Sequence, residues 1–198
     1  MAVALLAGGL TGPPGASAQG TASGEIQPEV AASGGTLAGS DFGNVGLGGG
    51  GELGLRYGLT SRLSLGLVGQ ASWHRADGLD GPLRLLGAAV EPRWALADAG
   101  GPRWTPFVSA RWSVTESADT LTADVSAGGL QAGGGVGVAY AVSESADLEV
   151  AALASYLSFG DARVDARLGE AESDFTRANS ATTGSLLGVR ASLRIRLP

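Results

Sequence analysis

The sequence contains a single histidine, His74, and its neighbours are the residues that could most readily perform catalysis. Ser72 precedes it by two positions and Asp77 follows it by three. A serine, a histidine and a carboxylate are the groups that nucleophilic hydrolases combine. Ser72 and His74, however, lie two apart on one predicted strand, and no local enzyme motif surrounds them. We therefore predict no catalytic residues and interpret His74 as a rim or interior residue of the fold.

Neither a metal site nor a nucleotide site is predicted. The chain has no cysteine, so it has no thiolate ligand or cysteine nucleophile. One histidine and scattered loop acids make a weak set of metal ligands. The glycine-rich segment 46–51 lies within a strand pattern and no helix follows it, unlike a phosphate-binding loop. The formal net charge of -6 argues against nucleic acid as a partner. We expect no cofactor.

Charged residues recur at alternate positions within otherwise apolar segments. In 45–59, Leu55 and Tyr57 occupy odd positions, whereas Glu52 and Arg56 occupy even ones. A period of two describes a β-strand with one apolar and one polar face. The polar face carries glycine, serine and charges of both signs, which suits pairing across the interior of a closed barrel. The predicted interior charge network comprises Glu52, Arg56, Glu91, Arg93, Arg111, Glu149, Arg190 and Arg194.

Eight segments carry this alternation, and their connections differ in length. The predicted strands are 26–36, 45–59, 63–75, 84–97, 103–115, 128–142, 147–159 and 184–197. The turns after the second, fourth and sixth strands are short, whereas the loops after the third, fifth and seventh are longer and acidic. Short turns on one rim, long loops on the other and an even strand count are typical of outer-membrane β-barrels. This pattern places both termini on the short-turn side, which is periplasmic in such barrels.

Large aromatic residues fall on the apolar face and close to the strand ends. Trp104 and Trp112 are eight positions apart on one predicted strand. This spacing is roughly 26 Å of strand, or ~20 Å along the axis of a tilted barrel, close to the ~25 Å apolar band of outer-membrane barrels. Tryptophan and tyrosine favour the boundary between lipid chains and headgroups. The predicted lipid-interface aromatics are Tyr57, Trp73, Trp94, Trp104, Trp112, Tyr140 and Tyr156.

The start of the chain has the features of a secretory signal. Residues 2–10 are apolar and Ala16-Ser17-Ala18 is a small-x-small cleavage site, so we predict a signal peptide over 1–18 and a barrel domain over 19–198. No positive segment precedes the apolar run, as expected if the start is truncated.

Pro92 and Pro106 lie within predicted strands, where each removes a ladder hydrogen bond, so a bulge is expected nearby.

The chain resembles the small eight-stranded outer-membrane β-barrel family, of the OmpA transmembrane-domain and OmpX type. The likeness spans nearly all of 26–198, with stretches such as VGLGGGGELGLRYGLTSRLSLGL at 45–67. It implies an all-β, eight-stranded, antiparallel up-and-down transmembrane barrel in the bacterial outer membrane, and a monomer. Implied partners are outer-membrane lipids, lipopolysaccharide and the assembly machinery. The family's C-terminal assembly signal usually ends on an aromatic residue, whereas this chain ends Leu197-Pro198.

We expect a structural or surface-interaction role without enzymatic activity, and the acidic loops could contact an extracellular partner. Three alternatives stay open. A narrow pore requires the interior charge pairs to rearrange. Some small outer-membrane barrels modify lipid A with a histidine, a serine and a carboxylate near the outer rim, which Ser72, His74 and Asp77 match loosely. A soluble periplasmic barrel requires the apolar face to point inward.

Overall fold

The computed structural model describes residues 23–39, 45–76, 82–97, 103–118, 123–160, 163–166 and 182–197. The predicted signal peptide, 1–18, lies outside these residues, as does much of the predicted acidic loops. No helix in this described part of the chain is long and apolar enough to cross a membrane.

The described residues form nine β-strands. They are β1 (Ile26–Ala38), β2 (Val45–Gly58), β3 (Leu63–Ala76), β4 (Leu83–Ala95), β5 (Trp104–Ala118), β6 (Ala123–Ala141), β7 (Ala146–Phe159), β8 (Arg163–Ala166) and β9 (Thr182–Ile195). Each long strand pairs antiparallel with the next long strand along the chain. β9 also pairs with β1, from Glu29↔Arg194 to Ala38↔Ser185, and this pairing closes the sheet. The predicted eight-stranded antiparallel β-barrel is therefore confirmed.

The structure adds one short strand and lengthens two others. β8 pairs with the start of β6, with Val125 opposite Val164, and so extends the sheet beyond the barrel at the long-loop end. β5 and β6 both reach into 116–124, which the sequence predicts as an acidic loop. Acidic residues favour a loop assignment, but the ladder of the neighbouring strand supplies partners for their backbone groups. The loop assignments for 116–118, 123–124 and 163–166 are therefore wrong.

The bulge expected near the two prolines is absent. Along β4 and β5 the register stays constant, from Val90↔Trp112 on one side of Pro92 to Arg93↔Ser109 on the other. The Pro106 carbonyl oxygen accepts a 2.8 Å hydrogen bond from the Leu96 amide. Within the described ladders, a register shift occurs instead between Val45 and Gly48, where β2 meets β3.

The short turns are held by local hydrogen bonds from hydroxyl side chains. Thr60 Oγ1 accepts from the backbone amides of Arg62 and Leu63, at 3.2 and 2.9 Å. Ser143 Oγ accepts from the Ser145 amide at 3.2 Å in the turn before β7. Such side-chain bonds stabilise turns by replacing backbone partners. These turns fix the strand register at one rim, and this register decides which residues face inward.

Side chains alternate between the barrel interior and its outer surface along every long strand. The interior is polar from mid-height to the short-turn rim and also contains two apolar clusters. Toward the short turns, Phe107 packs with Ala139 and Ala151. Toward the long loops, Leu37, Leu85, Leu157 and Phe159 pack together. Charged and hydroxyl side chains lie between the two apolar clusters and continue past Phe107 to the short-turn rim.

Candidate functional site

Glu91 is the centre of the interior charge network. Its side chain is fully buried, and its Oε1 lies 2.9 Å from Arg56 Nη2 and 3.1 Å from Arg93 Nη2. Arg190 approaches it as a fork, with Nη1 2.7 Å from Oε2 and Nη2 3.0 Å from Oε1. β2, β4 and β9 are thus joined through one carboxylate. Charge-assisted bonds of this kind are the strongest that side chains make.

A second carboxylate joins one more strand, β5, to the same network. Glu52 on β2 receives both terminal nitrogens of Arg111 on β5, at 3.1 Å each. Glu52 Oε2 also lies 3.4 Å from Arg190 Nη1. Arg111 in turn lies 3.6 Å from Glu91. This pairing links the central cluster to the wall made by β5.

The network continues toward the short-turn end through β7 and β9. Glu149 pairs with Arg93 and lies 3.2 Å from Arg194 Nη2. Arg194 also lies 2.8 Å from Asp147 Oδ2, and Arg196 lies 2.6 Å from Asp147 Oδ1. The chain of ion pairs therefore runs from mid-barrel to the rim.

All eight predicted network residues lie in the interior, are buried and join one connected set of ion pairs. Sequence reasoning missed Glu29, which lies 3.2 Å from Arg56, and Asp147. Alternation could have found both, because Glu29 shares a face with Gln27 and Ala31, and Asp147 lies two positions before Glu149. β1 is weakly patterned, and Asp147 lies at the edge of its strand.

The buried charges of the network balance. Among the described residues, five carboxylates and five guanidinium groups of the barrel interior are buried. The acids are Glu29, Glu52, Glu91, Asp147 and Glu149, and the bases are Arg56, Arg93, Arg111, Arg190 and Arg194. Burying an unpaired charge costs several kcal/mol. The buried acids and bases must therefore balance and hydrogen-bond one another. This arrangement fills the lumen and cross-links six of the eight barrel strands.

Amide and hydroxyl side chains form a layer on the long-loop side of the charges. Gln131 accepts from Gln70 at 3.2 Å and from Ser113 at 3.0 Å, and donates to Ser155 at 2.8 Å. A cavity of about 60 Å³ adjoins this layer. A cavity of this size has room for several waters, since one water needs about 10–15 Å³. Its lining includes Glu52, Arg111, Gln131, His74, Leu85 and Leu186.

His74 and Ser72 lie in the interior of the barrel. Ser72 Oγ is 3.2 Å from His74 Nε2, and the His74 side chain is 2 % exposed. Leu85 and Leu186 also line the cavity that His74 faces, and Leu85 belongs to the apolar cluster at the long-loop end. Asp77 lies outside the described residues. In the described part of the chain, no three His, Asp or Glu side chains group in a way that could hold a metal ion.

The apolar cluster Leu37, Leu85, Leu157 and Phe159 is a feature that sequence reasoning missed. All four residues occupy interior positions, where the pattern predicts glycine, serine and charge. Each lies within the last three residues at the long-loop end of its strand, where the alternating pattern gives way to loop sequence. Their inward direction follows only from the observed register. They close the barrel on the long-loop side of the cavity.

The outer face carries the predicted aromatic residues. Six of them are exposed, and Tyr140 is half-buried against Trp104, with ring centroids 4.5 Å apart. The exposed six are Tyr57, Trp73, Trp94, Trp104, Trp112 and Tyr156. Between them the outer face exposes leucine and valine from every long strand, for example Leu55, Val136 and Val189. The polarity of the barrel is thus inverted relative to a soluble protein.

Solved structures share this fold. The Neisserial surface protein A (NspA) superposes with a TM-score of 0.60 at 15% identity, over 87% of this chain and 97% of that one. The outer membrane protein OprG from Pseudomonas aeruginosa gives 0.58 at 14% identity, over 90% and 98%. No family model and no curated protein matches the sequence. The chain therefore has the fold of the small eight-stranded outer-membrane barrels, as the OmpA and OmpX resemblance implied.

Proposed function

We propose that the protein is a bacterial outer-membrane protein that crosses the bilayer as an eight-stranded barrel. Its role is structural or one of surface interaction, and it is not an enzyme. The observation that carries this proposal is the inverted polarity, with large apolar side chains exposed around the whole circumference and ten charged side chains buried inside. Soluble proteins rarely expose a contiguous apolar patch with an area of more than a few hundred Å². Lipid solvates such a belt, and a closed barrel leaves no unpaired strand edge in it.

The proposal includes an orientation and a route. The predicted signal peptide takes the chain across the inner membrane, and the short turns and both termini stay periplasmic. The long, acidic loops then lie outside the cell. This orientation is supported by loop length, because the turns at 59–62 and 142–145 are short and self-contained, as periplasmic turns of such barrels are.

Electrophoretic behaviour and fractionation test the membrane proposal. We expect the protein to be recovered in outer-membrane fractions and to resist carbonate extraction. The unheated protein should also migrate differently from the boiled protein on a detergent gel, because the closed barrel survives the detergent. Recovery in the carbonate-soluble fraction, or identical migration before and after boiling, would contradict the proposal.

The absence of catalysis is supported by the position of the Ser72–His74 pair. A lipid substrate in the membrane meets the outer face, whereas this pair lies inside the barrel beside Leu85. We expect lipid A from cells expressing the protein to have the same mass as lipid A from cells expressing His74→Ala. A modified lipid A that disappears in the His74→Ala variant would assign an enzymatic role.

A narrow pore is the second candidate, because the interior holds a polar cavity next to the charge network. In the arrangement described above, ion pairs fill the lumen on one side of the cavity and leucine and phenylalanine fill it on the other. We therefore expect no channel events from the native chain in planar bilayers. Discrete conductance steps that persist after repurification would favour the pore.

A further inference from the structure

The cavity inside the barrel is surrounded by all eight long strands. Each of these strands contributes at least one residue to its lining, for example Ser33 from β1, Gln131 from β6 and Gly188 from β9. The strands form a closed, hydrogen-bonded wall around it, so a solute can enter only along the barrel axis. We call this cavity of about 60 Å³ the chamber.

The two charged groups that line the chamber neutralise each other. Among the described lining residues these are Glu52 and Arg111, which pair at 3.1 Å. The other polar groups of the lining are amides, hydroxyls and the His74 imidazole, and Gln131 and Ser155 hydrogen-bond at 2.8 Å. This lining suits water and small uncharged solutes that form hydrogen bonds, because an ion needs an unpaired charge to replace its hydration.

Four apolar side chains close the chamber toward the long loops. Leu37, Leu85, Leu157 and Phe159 pack together, and each is at most 5 % exposed. Leu85 also lines the chamber, so the apolar residues directly contact the polar cavity. We call these four residues the gate cluster. Hydrocarbon therefore separates the chamber from the long-loop end of the barrel.

The two ends of the chamber differ in what opening them requires. Toward the short turns, Glu52 is held by Arg111 and Arg190, and parting them would leave buried charges unpaired. Toward the long loops, non-directional apolar contacts hold the gate cluster at the ends of its strands. Such ends open locally at a lower free-energy cost than the paired centre of a fold. The gate cluster is therefore the weaker of the two barriers.

We propose that the gate cluster is a hydrophobic gate that admits water and small uncharged solutes to the chamber from the long-loop end. Apolar constrictions in channels exclude ions because they shed water. The chamber is then a pocket with one entrance, since the ion pairs stay closed on its other side. The inference goes beyond the proposed function, because it concerns the barrel interior and applies in a micelle as well as in a membrane.

Single cysteines test access to the chamber, because the chain has none of its own. Ser155→Cys and Ser33→Cys each place a thiol on the chamber lining. Gly160→Cys, at an exposed position directly after β7, is the control for a thiol outside the gate. Folded protein in micelles is treated with uncharged methyl methanethiosulfonate or its anionic sulfonatoethyl analogue, and mass spectrometry follows labelling. Migration before and after boiling verifies that each variant is folded.

Each labelling rate is divided by the rate of the same reagent at Gly160→Cys. We expect the uncharged reagent to label Ser155→Cys and Ser33→Cys slowly but completely. The anionic reagent should be slower by at least about a hundredfold, because its sulfonate must lose water at the gate. No labelling of either chamber thiol by the uncharged reagent would overturn the inference, and so would equal relative rates for the two reagents.

Truncating the gate cluster should speed entry. We expect Leu157→Ala to accelerate uncharged labelling of Ser155→Cys by about tenfold, because less apolar surface must be wetted. Leu37→Ala, on another strand, should act in the same direction. The matched control is Val68→Ala, since Val68 is buried but belongs neither to the gate cluster nor to the described lining of the chamber. Equal acceleration by Val68→Ala would overturn the inference, because general loosening would then explain entry.

Conductance distinguishes a gated pocket from a pore. Leu157→Ala should give no channel steps in planar bilayers, because the pairs of Glu52 with Arg111 and of Glu91 with Arg190 remain. Steady conductance steps in this variant would show that the chamber opens to both ends and would overturn the single entrance. A chain that shows heat-modifiable migration but no labelling of the chamber refutes only the gate, whereas a chain without that migration refutes the proposed function.

Discussion

Glu91 shows how a carboxylate can occupy the centre of a membrane-sized barrel. It is fully buried, yet guanidinium groups from three strands contact its two oxygens at 2.7–3.1 Å. A buried charge is tolerable only when its partners satisfy it, and removing one partner leaves the others uncompensated. Glu91 therefore matters for stability through Arg56, Arg93 and Arg190, whose charges it neutralises together with Glu29, Glu52 and Glu149.

Replacing this carboxylate by a neutral isostere tests that view. We expect Glu91→Gln to lower the free energy of unfolding by about 3–5 kcal/mol, since three buried guanidinium groups lose their shared negative charge and one acceptor oxygen. Urea titration of the protein in phospholipid vesicles measures this free energy, with the folded fraction read from the unboiled gel band.

The matched control is Glu144→Gln in the exposed turn before β7. Its side chain is exposed, so its free energy of unfolding should stay within about 0.5 kcal/mol of the native value. Equal, small effects of Glu91→Gln and Glu144→Gln would show that the buried network adds nothing to stability.

At the scale of the strand, alternation predicted most of the fold. The apolar and charged faces of 45–59 fix β2 in one register, because a one-residue shift would place Glu52 and Arg56 in lipid. Each arginine at mid-bilayer costs roughly 2–4 kcal/mol, so no competing register is close in energy. The interior pairing of these two residues follows from the same face assignment.

Other elements depend on contacts that a single strand does not encode. β8 and the early start of β6 exist because Ala123–Ser126 and Arg163–Ala166 pair with each other, and neither segment carries a strand pattern of its own. The inward leucines of the long-loop end have the same origin. Alternation gives two faces but loses its meaning where a strand leaves the apolar belt, so the direction of Leu37 or Leu157 needed the register of the neighbouring strands.

Close approach of β6 and β7 gives a second prediction. A Cβ added to Gly133 would lie 2.3 Å from the Ala154 carbonyl oxygen and 2.5 Å from the Ser155 Cα, both of which are backbone atoms. Gly133→Ala should therefore destabilise the barrel by about 1–3 kcal/mol, because the two strands must separate. The same urea titration measures the change.

Gly128, on the same strand, is the matched control. A Cβ added there meets nothing within 4 Å, so Gly128→Ala should leave stability nearly unchanged. If the two alanine variants unfold at the same urea concentration, the close strand approach at Gly133 is not a determinant of stability.

For the whole molecule, the inverted polarity makes opposite predictions in lipid and in water. Val136 is exposed on the outer face, and its ladder partner Val108 lies between Trp104 and Trp112 on β5. In a bilayer, Val136→Arg should lower the free energy of unfolding by about 2–4 kcal/mol, whereas Leu59→Arg at the short-turn rim should lower it by about 1 kcal/mol or less. A soluble barrel would tolerate both substitutions. Equal, small changes in the free energy of unfolding in vesicles would therefore contradict the membrane account.

The orientation of the whole barrel gives a further prediction, which the lack of native cysteine makes simple to measure. Gly160→Cys lies directly after the long-loop end of β7, and Ser61→Cys lies in the short turn between β2 and β3; both positions are exposed. A membrane-impermeant maleimide should label Gly160→Cys on intact cells and Ser61→Cys only after the outer membrane is permeabilised. The reverse labelling pattern would show that the long loops face the periplasm and would contradict the proposed orientation.

The most direct test of the central claim, that the outer face meets lipid, is quenching of tryptophan fluorescence by brominated lipids. Four variants each keep one of Trp73, Trp94, Trp104 and Trp112, with the others changed to phenylalanine. We predict that lipids brominated near the headgroup quench all four more strongly than lipids brominated near the chain end. Val136→Trp in a background lacking the other tryptophans should show the opposite preference. Quenching by aqueous iodide without quenching by either brominated lipid would contradict the account.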